Sequence, residues 1–338
     1  MPVEALSLDD PRVEHHFLDV GSDIRYHYQV VKPHGPPAAT VLLLHGWPDL
    51  AHGWRFQVPL LLNLGSQVVL PDMLGYGQTS APDSPAHYSL KNTADHIAQL
   101  IRAVGGSSSS PVIVGAHDWG AFVAWRLAMY YPELVRAIFC FCVPFMPPQP
   151  GIEPLEDFVK KNPVFTYQLQ NAGSEAEAIA GQSPAHVQGF LNAMFGGVTE
   201  DGLPGFDPFV GLISERLLNV QGSPLVAPEI REHYVSEYSR NGLRGPMNWY
   251  RTRSINAEDE LPLVKDADEY QFQLPAMLVM AGKDPALTPA LAEGQERYFA
   301  KGLKKEVIHE ASHWILIHCP EECNRYIEEF LKEVFGWD

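Results

Sequence analysis

Apolar residues along the first part of the chain form short continuous runs that alternate with segments of helical spacing. The runs are bounded by turn residues, which is typical of strands buried on both faces of a parallel sheet. Four have this character: "TVLLLHG" (40–46), "SQVVLPD" (66–72), "PVIVGAH" (111–117) and "VRAIFCFCVP" (135–144). Two segments that lie between these runs, 88–106 and 119–132, have apolar side chains at helical spacing. This alternation predicts an α/β fold with a doubly wound, mostly parallel sheet, preceded by two strands around a Gly-Ser-Asp turn within 16–31.

The pattern changes after about residue 145, where the chain becomes rich in Pro, Gly and aromatic residues. Helical segments occur there, at 183–195 and 228–242, but no convincing buried strand does. The α/β pattern returns at 275–284 and 304–313, and a final helix is expected over 320–335. The sequence therefore predicts a core made of residues 1–144 and 266–338, with a mostly helical lid, 145–265, inserted into it.

The charge and composition of the chain limit which binding partners and which cellular compartment we expect. The chain of 338 residues has a formal net charge of −17, which argues against a nucleic acid or an anionic membrane surface as its partner. No apolar run approaches the roughly 18–20 residues that a membrane-spanning helix needs, and no segment reads as a signal peptide. Four cysteines in so long a chain do not make a disulfide scaffold. We therefore expect a cytoplasmic protein.

The stretch "VIVGAHDWGAFVAW" (112–125) predicts a strand, a tight turn and a helix, with Asp118 in the turn. Such a turn is typical of a nucleophile elbow, which projects its central side chain above the sheet and needs small neighbours. Ala116 and Gly120 meet that requirement. The alternative interpretation of Asp118 is a helix N-cap, a common role for Asp.

Two later positions favour the nucleophile. Asp284 follows a late predicted strand, and His313 follows the last one. The order nucleophile, acid, histidine is that of an α/β-hydrolase triad. Glu310 is a rival for the acid, but it lies on the same local segment as His313, so Asp284 is preferred.

The loop "HGWP" (45–48) follows an early strand. In α/β hydrolases this loop supplies one backbone N–H to the oxyanion hole, and the residue after the nucleophile supplies the other. Those donors would be the amides of Trp47 and Trp119. The alternative is a tight turn around a Trp-Pro bond, which can be cis.

Taken in order, "HGWP", "HDWG", "GKD" and "SHW" resemble the α/β-hydrolase-fold epoxide hydrolases over nearly the whole chain. Ala116 and Ala121 stand where members often have Gly, and Leu74 replaces an Arg in "DMLGYG". The resemblance implies that two lid tyrosines hold the epoxide oxygen. Tyr167 in "FTYQL" and Tyr250 in "NWYR" match these positions.

The resemblance also implies a reaction in two steps. Asp118 opens the epoxide and forms an alkyl ester, which His313 and Asp284 then help water to hydrolyse; a serine would form an ether that water cannot cleave. No metal or organic cofactor is expected. The expected partner is a small apolar epoxide, and the apolar lid residues Phe158, Phe165 and Phe195 are its candidate contacts. The oligomeric state is left open.

Three other functions fit parts of the pattern. A haloalkane dehalogenase uses the same fold and ester chemistry, and the two tryptophans could hold its halide. A carboxyl-ester hydrolase would carry Gly-x-Ser-x-Gly, which this sequence does not contain. A non-catalytic ligand-binding protein of the fold would not need the complete triad. The tyrosine pair favours the epoxide over the halide, because a halide leaves without a proton.

Overall fold

A computed structural model describes residues 3–21, 23–265 and 269–337. Its main element is an eight-stranded sheet in the order β1-β2-β4-β3-β5-β6-β9-β10. The strands of this sheet are β1 Val13–Asp19, β2 Arg25–Val31, β3 Ala39–Leu44, β4 Ser66–Pro71, β5 Val112–His117, β6 Val135–Phe141, β9 Ala276–Ala281 and β10 Leu303–Ile308. A separate antiparallel pair consists of β7 Phe206–Asp207 and β8 Gly211–Leu212.

The α-helices of the described chain are mostly short, and the longest are α2, α8 and α13. Their bounds are α1 Val58–Asn63, α2 Leu90–Ala103, α3 Trp119–Tyr130, α4 Leu155–Lys161, α5 Tyr167–Ala172, α6 Glu175–Ala180, α7 Pro184–Met194, α8 Pro228–Asn241, α9 Arg244–Asn248, α10 Arg253–Asp259, α11 Leu261–Val264, α12 Ile315–His318 and α13 Pro320–Phe335. None of these helices has the length and hydropathy needed to cross a bilayer.

The predicted mostly parallel sheet is confirmed. Strands β1, β2 and β4 pair antiparallel, whereas all pairings from β4 to β10 are parallel. Every residue of β5 and β9 is buried, as expected for strands covered on both faces. Parallel strands share one carboxyl edge, so the loops after β3, β5, β6, β9 and β10 gather the polar residues that follow them.

The chain divides into two compact units. The first comprises Met1–Met73, Leu90–Pro148 and Pro262–Asp338 and holds the large sheet; the second comprises Leu74–Ser89 and Gln149–Leu261 and is mostly helical. The predicted lid bounds of 145 and 265 stay a prediction. The predicted boundary between residues 265 and 266 lies at the edge of the described residues. Ser22 of the predicted turn lies outside them.

Two features of the helical unit were not predicted from the sequence. One is the short pair β7 and β8, whose two-residue strands are too brief to show a periodic pattern. The other is the segment Leu74–Ser89. Its backbone carbonyls accept hydrogen bonds from lid side chains: Trp249 Nε1 donates to Leu74 O over 3.0 Å, and Asn241 Nδ2 to Gly77 O over 3.0 Å.

Candidate active site

Asp118 lies in a strained turn between β5 and α3. Its φ of 51° is in the left-handed region that non-glycine residues rarely occupy. The turn also brings α3 close to the end of β3, because a Cβ on Gly120 would lie 2.4 Å from the carbonyl oxygen of Leu44. The geometry is therefore that of a nucleophile elbow. Glycine is required at position 120 because any side chain there would collide with the backbone of Leu44.

The Asp118 carboxylate faces the loop after β3 and does not cap α3. The Trp47 amide N–H donates to Asp118 Oδ1 over 2.7 Å. Asp118 holds the N-cap position of α3 without a side-chain capping bond, so the capping interpretation is wrong. Burial raises the pKa of this carboxyl above its ordinary value, and His313 and the amides of Trp47 and Trp119 partly oppose that rise.

His45 fixes the loop that carries the Trp47 amide. The Met73 amide donates to His45 Nε2 over 3.0 Å, so that nitrogen carries no proton. The proton is then on Nδ1, which lies 3.0 Å from the Gly46 carbonyl oxygen and donates to it. Burial lowers the pKa of His45, which keeps the ring neutral and both bonds in place. The Trp47–Pro48 peptide bond that follows is cis.

Asp284 and His313 form a close pair. His313 Nδ1 lies 2.6 Å from Asp284 Oδ2, while Asp284 Oδ1 accepts the amides of Ala286 and Leu287, each at 2.9 Å. Asp284 is 4% exposed. Burial alone would raise the pKa of the Asp284 carboxyl, but His313 and the two amides together hold it below its ordinary value. Asp284 is therefore a fixed, ionised acceptor for one nitrogen of His313.

The rival acid Glu310 is placed differently. Its carboxylate is exposed and pairs with Lys283. This ion pair holds the pKa of the Glu310 carboxyl below its ordinary value. Glu310 therefore has its own cationic partner, and Asp284 is the carboxylate that contacts His313.

The other nitrogen of His313 faces the nucleophile. His313 Nε2 lies 3.8 Å from Asp118 Oδ2. Burial would lower the pKa of the His313 imidazole, but the charge of Asp284 and its hydrogen bond outweigh this and raise the pKa well above the ordinary value. An imidazolium is therefore favoured in the resting site, between two carboxylates.

His117 and Cys142 were not assigned to the site from the sequence. His117 Nε2 lies 3.0 Å from the backbone oxygen of His313, and Cys142 Sγ lies 3.6 Å from the same oxygen. The ligand atoms of these three residues lie within 4.8 Å of one another, close enough to consider a metal. A hydrogen-bonded group describes them better, because His313 Nδ1 is engaged by Asp284 and burial raises the pKa of the Cys142 thiol to about 11.

Tyr167 and Tyr250 meet within the helical unit. Their ring centroids are 6.0 Å apart with an interplanar angle of 76°. Tyr167 begins α5 and is half-buried, whereas Tyr250 lies in a 3₁₀ turn over Trp249–Arg251 and is 7% exposed. Two tyrosines separated by 83 positions in sequence (250 − 167) are thus brought into edge-to-face contact.

The three lid phenylalanines are not equivalent. Phe165 lies 5.4 Å from Phe158 and 6.5 Å from Tyr167 between ring centroids, so these aromatics form a continuous group. Phe195 packs 5.4 Å from Tyr234 and is 4% exposed. Contact of all three phenylalanines with a substrate stays a prediction.

An elbow carboxylate, a loop amide directed at it and a His–Asp pair, all at the carboxyl edge of a mostly parallel sheet, define an α/β hydrolase. A family model described as alpha/beta hydrolase fold matches residues 39–189. Epoxide hydrolase srdG of Neurospora crassa is 55% identical over 98% of this chain and 99% of its own length. The chain therefore belongs to the epoxide hydrolase family of this fold.

More distant relatives are also named epoxide hydrolases. Bifunctional epoxide hydrolase 2 of Sus scrofa is 34% identical over 96% of this chain, which spans 56% of that longer protein. Among solved structures, epoxide hydrolase VrEH1 from Vigna radiata matches with a TM-score of 0.79 at 26% identity, over 97% of this chain and 99% of that one. The predicted family and fold are thus confirmed.

Proposed function

We propose that this chain hydrolyses small apolar epoxides to vicinal diols through an alkyl ester on Asp118. The observation that carries the proposal is the placement of the Asp118 carboxylate: Oδ1 accepts the Trp47 amide, and Oδ2 faces His313 Nε2 at 3.8 Å. The similarity to epoxide hydrolase srdG over nearly the full length of both chains supports the choice of epoxide.

In the first step Oδ2 of Asp118 attacks a ring carbon from the side opposite the ring oxygen. Oδ1 stays with the Trp47 amide, because a carboxylate oxygen already held by a donor is the weaker nucleophile. The C–O bond of the ring breaks and leaves an alkoxide. Tyr167 and Tyr250 hydrogen-bond this oxygen, and one of them gives it a proton. Their contact in the helical unit, 6.0 Å between ring centroids, supports a joint role.

In the second step His313 removes a proton from water, which attacks the carbonyl carbon of the ester. The oxyanion forms on Oδ1, where the amides of Trp47 and Trp119 stabilise it. The intermediate collapses by breaking the bond between the ester carbonyl carbon and the former Oδ2, and the imidazolium returns its proton to that oxygen as the diol leaves. The regenerated Asp118 carboxyl group gives its remaining proton to the tyrosinate formed in the first step, which restores the free site. Asp284 stabilises the imidazolium that forms on His313, as an acid in a triad does.

Ester formation also prepares His313 for this step. The free site favours an imidazolium, which cannot accept a proton. Esterification removes the negative charge of Asp118, 3.8 Å from His313 Nε2, so the imidazole loses one of the charges that favour its protonated form. Ester formation therefore lowers the pKa of His313, and the ring acts as the base of the second step after it has released its proton to solvent.

The chemistry needs no metal or organic cofactor, since the carboxylate, imidazole, phenols and amides supply every proton transfer and charge contact. The four cysteines are free and buried, which suits the reducing cytoplasm that we propose as the compartment.

The test is to incubate the purified chain with styrene oxide and, separately, with a bromoalkane. Diol formed from styrene oxide without bromide release from the bromoalkane supports the proposal. Bromide release without diol would assign the chain to dehalogenases, and neither product would refute both activities. Asp118→Ala is the control for uncatalysed opening of the epoxide.

A further inference from the structure

Two side chains from neighbouring strand ends converge on one backbone atom of the proposed base. His117 is the last residue of β5, Cys142 follows β6, and the two strands pair in parallel up to His117 and Phe141. The His117 ring nitrogen Nε2 and the Cys142 thiol reach the carbonyl oxygen of His313 at 3.0 and 3.6 Å. His313 itself is on the loop between β10 and α12.

The protonation state of His117 follows from this contact. A carbonyl oxygen only accepts, so Nε2 of His117 carries the proton and donates it. Burial, together with the neighbouring His313, lowers the pKa of His117 to about 3, so the ring is neutral and its Nδ1 carries a lone pair. That Nδ1 is buried without a hydrogen-bond partner. A buried nitrogen without a hydrogen-bond partner destabilises the fold. The favourable contributions of the ring are therefore its donor at Nε2 and its packing against the His313 ring, 4.8 Å away between centroids.

Cys142, like His117, has a local feature that is unfavourable for the stability of the fold. Its φ of 68° is unusual for a residue with a side chain, and its thiol is fully buried. Burial raises the pKa of the thiol to about 11, so it remains an S–H donor at neutral pH. Both residues thus keep an unfavourable feature while presenting a donor to the same oxygen of His313.

We propose that His117 and Cys142 are positioning residues that hold the His313 backbone so that the imidazole reaches both Asp284 and the ester on Asp118. The proposal rests on the proposed function. Because His313 acts as a base only when the ester is hydrolysed, loss of either donor slows hydrolysis far more than ester formation. Misplacement of a catalytic group by about 1 Å can cost up to roughly 100-fold in rate.

His117→Phe is the decisive variant. It keeps a ring against His313, removes the donor and also removes the unsatisfied Nδ1, so stability is retained or rises. Cys142→Ala removes the second donor. Cys140→Ala is its matched control, because it deletes another fully buried thiol two positions earlier, within β6. His117→Gln and Cys142→Ser restore a donor in each place.

The measurement is rapid-quench kinetics with styrene oxide, which separates formation of the Asp118 ester from its hydrolysis. We expect His117→Phe and Cys142→Ala to form the ester within about threefold of the parent rate and to hydrolyse it roughly 10–100-fold more slowly. The Gln and Ser variants should recover most of the hydrolysis rate, and Cys140→Ala should match the parent in both steps.

Hydrolysis at the parent rate in His117→Phe and Cys142→Ala would overturn the positioning role. An equal loss in both steps would overturn it as well, since that pattern indicates general damage to the fold. Failure of the proposed function looks different, because the parent enzyme itself would then accumulate no ester on Asp118.

Discussion

His313 Nε2 lies 3.8 Å from Asp118 Oδ2, too far for a direct hydrogen bond but close enough for strong mutual electrostatic influence. Each group favours the charged form of the other. This makes the protonation state of the proposed base depend on whether the carboxylate is free or esterified.

Asp118→Asn imitates the uncharged ester without a substrate. Removing the negative charge disfavours the imidazolium, so the pKa of His313 should be lower in Asp118→Asn than in the parent, where it lies well above its ordinary value. The measurement is an NMR titration of the His313 ring. Asp19→Asn, a comparable change at an exposed residue of β1, should leave the titration as in the parent. An unchanged or higher pKa in Asp118→Asn would contradict the coupling.

His313→Gln should separate the two steps of the reaction. The variant keeps the nucleophile and the tyrosines, so the ester forms, but no base activates the water. A burst of about one equivalent of ester, followed by almost no diol, is expected. Mass spectrometry of the quenched protein detects the adduct, and steady turnover near the parent rate would rule out His313 as the base.

The destination of water oxygen tests the covalent route directly. In a single turnover in 18O water the label should enter the Asp118 carboxyl group, because water attacks the ester carbonyl carbon. The diol receives its new oxygen from the enzyme and stays unlabelled. Peptide mass spectrometry of the segment containing Asp118 gives the result, and label in the first-turnover diol with Asp118 unlabelled would mean direct attack by water.

Tyr167→Phe/Tyr250→Phe should nearly abolish ring opening. Loss of one donor to a developing oxyanion costs about 2.7–4 kcal/mol, or roughly 10²–10³ in rate, and a single change can be partly covered by the remaining tyrosine. Pre-steady-state alkylation by styrene oxide measures the effect, after circular dichroism has shown a folded variant. Alkylation within a few-fold of the parent would remove both tyrosines from the mechanism.

The elbow can be tested through stability. Gly120→Ala introduces a Cβ about 2.4 Å from the Leu44 carbonyl oxygen, closer than such atoms can approach, so the backbone must shift. We expect a loss of about 1–3 kcal/mol in the free energy of unfolding, measured by urea denaturation, together with lower activity. Gly151→Ala adds the same methyl group where nothing lies within 4 Å and should change stability little. Equal stability of the two variants would show that the turn relaxes.

The sequence predicted the central strands well because they are buried on both faces and therefore appear as continuous apolar runs. Strands β5 and β9 show this directly, since every residue in them is buried. Asp118 and Asp284 could be located because each follows such a strand. His313 follows β10, which is only partly buried, and was located by its place after the last predicted strand.

What the sequence did not predict depends on contacts between distant segments. Neither the hydrogen bond from His117 to the His313 carbonyl nor that from Cys142 has any periodic signal, because both arise from the order of strands in the sheet. His117 lies directly before Asp118 in the motif, but its neighbour in space is 196 positions away in sequence. The segment Leu74–Ser89 was missed for the same reason, as hydrogen bonds from residues after 240 join it to the helical unit.

The hydrogen bond between the Trp47 amide and Asp118 Oδ1 has a consequence for inhibitor design. In a serine hydrolase the oxyanion belongs to the substrate, so a boronate or aldehyde can supply a tetrahedral mimic to the site. Here the atom in that place is part of the polypeptide. Under the proposed mechanism no dissociable compound can imitate the tetrahedral species of ester hydrolysis. Under the same mechanism, reversible tight binders would resemble the opening ring, with a polarised group against Oδ2 of Asp118.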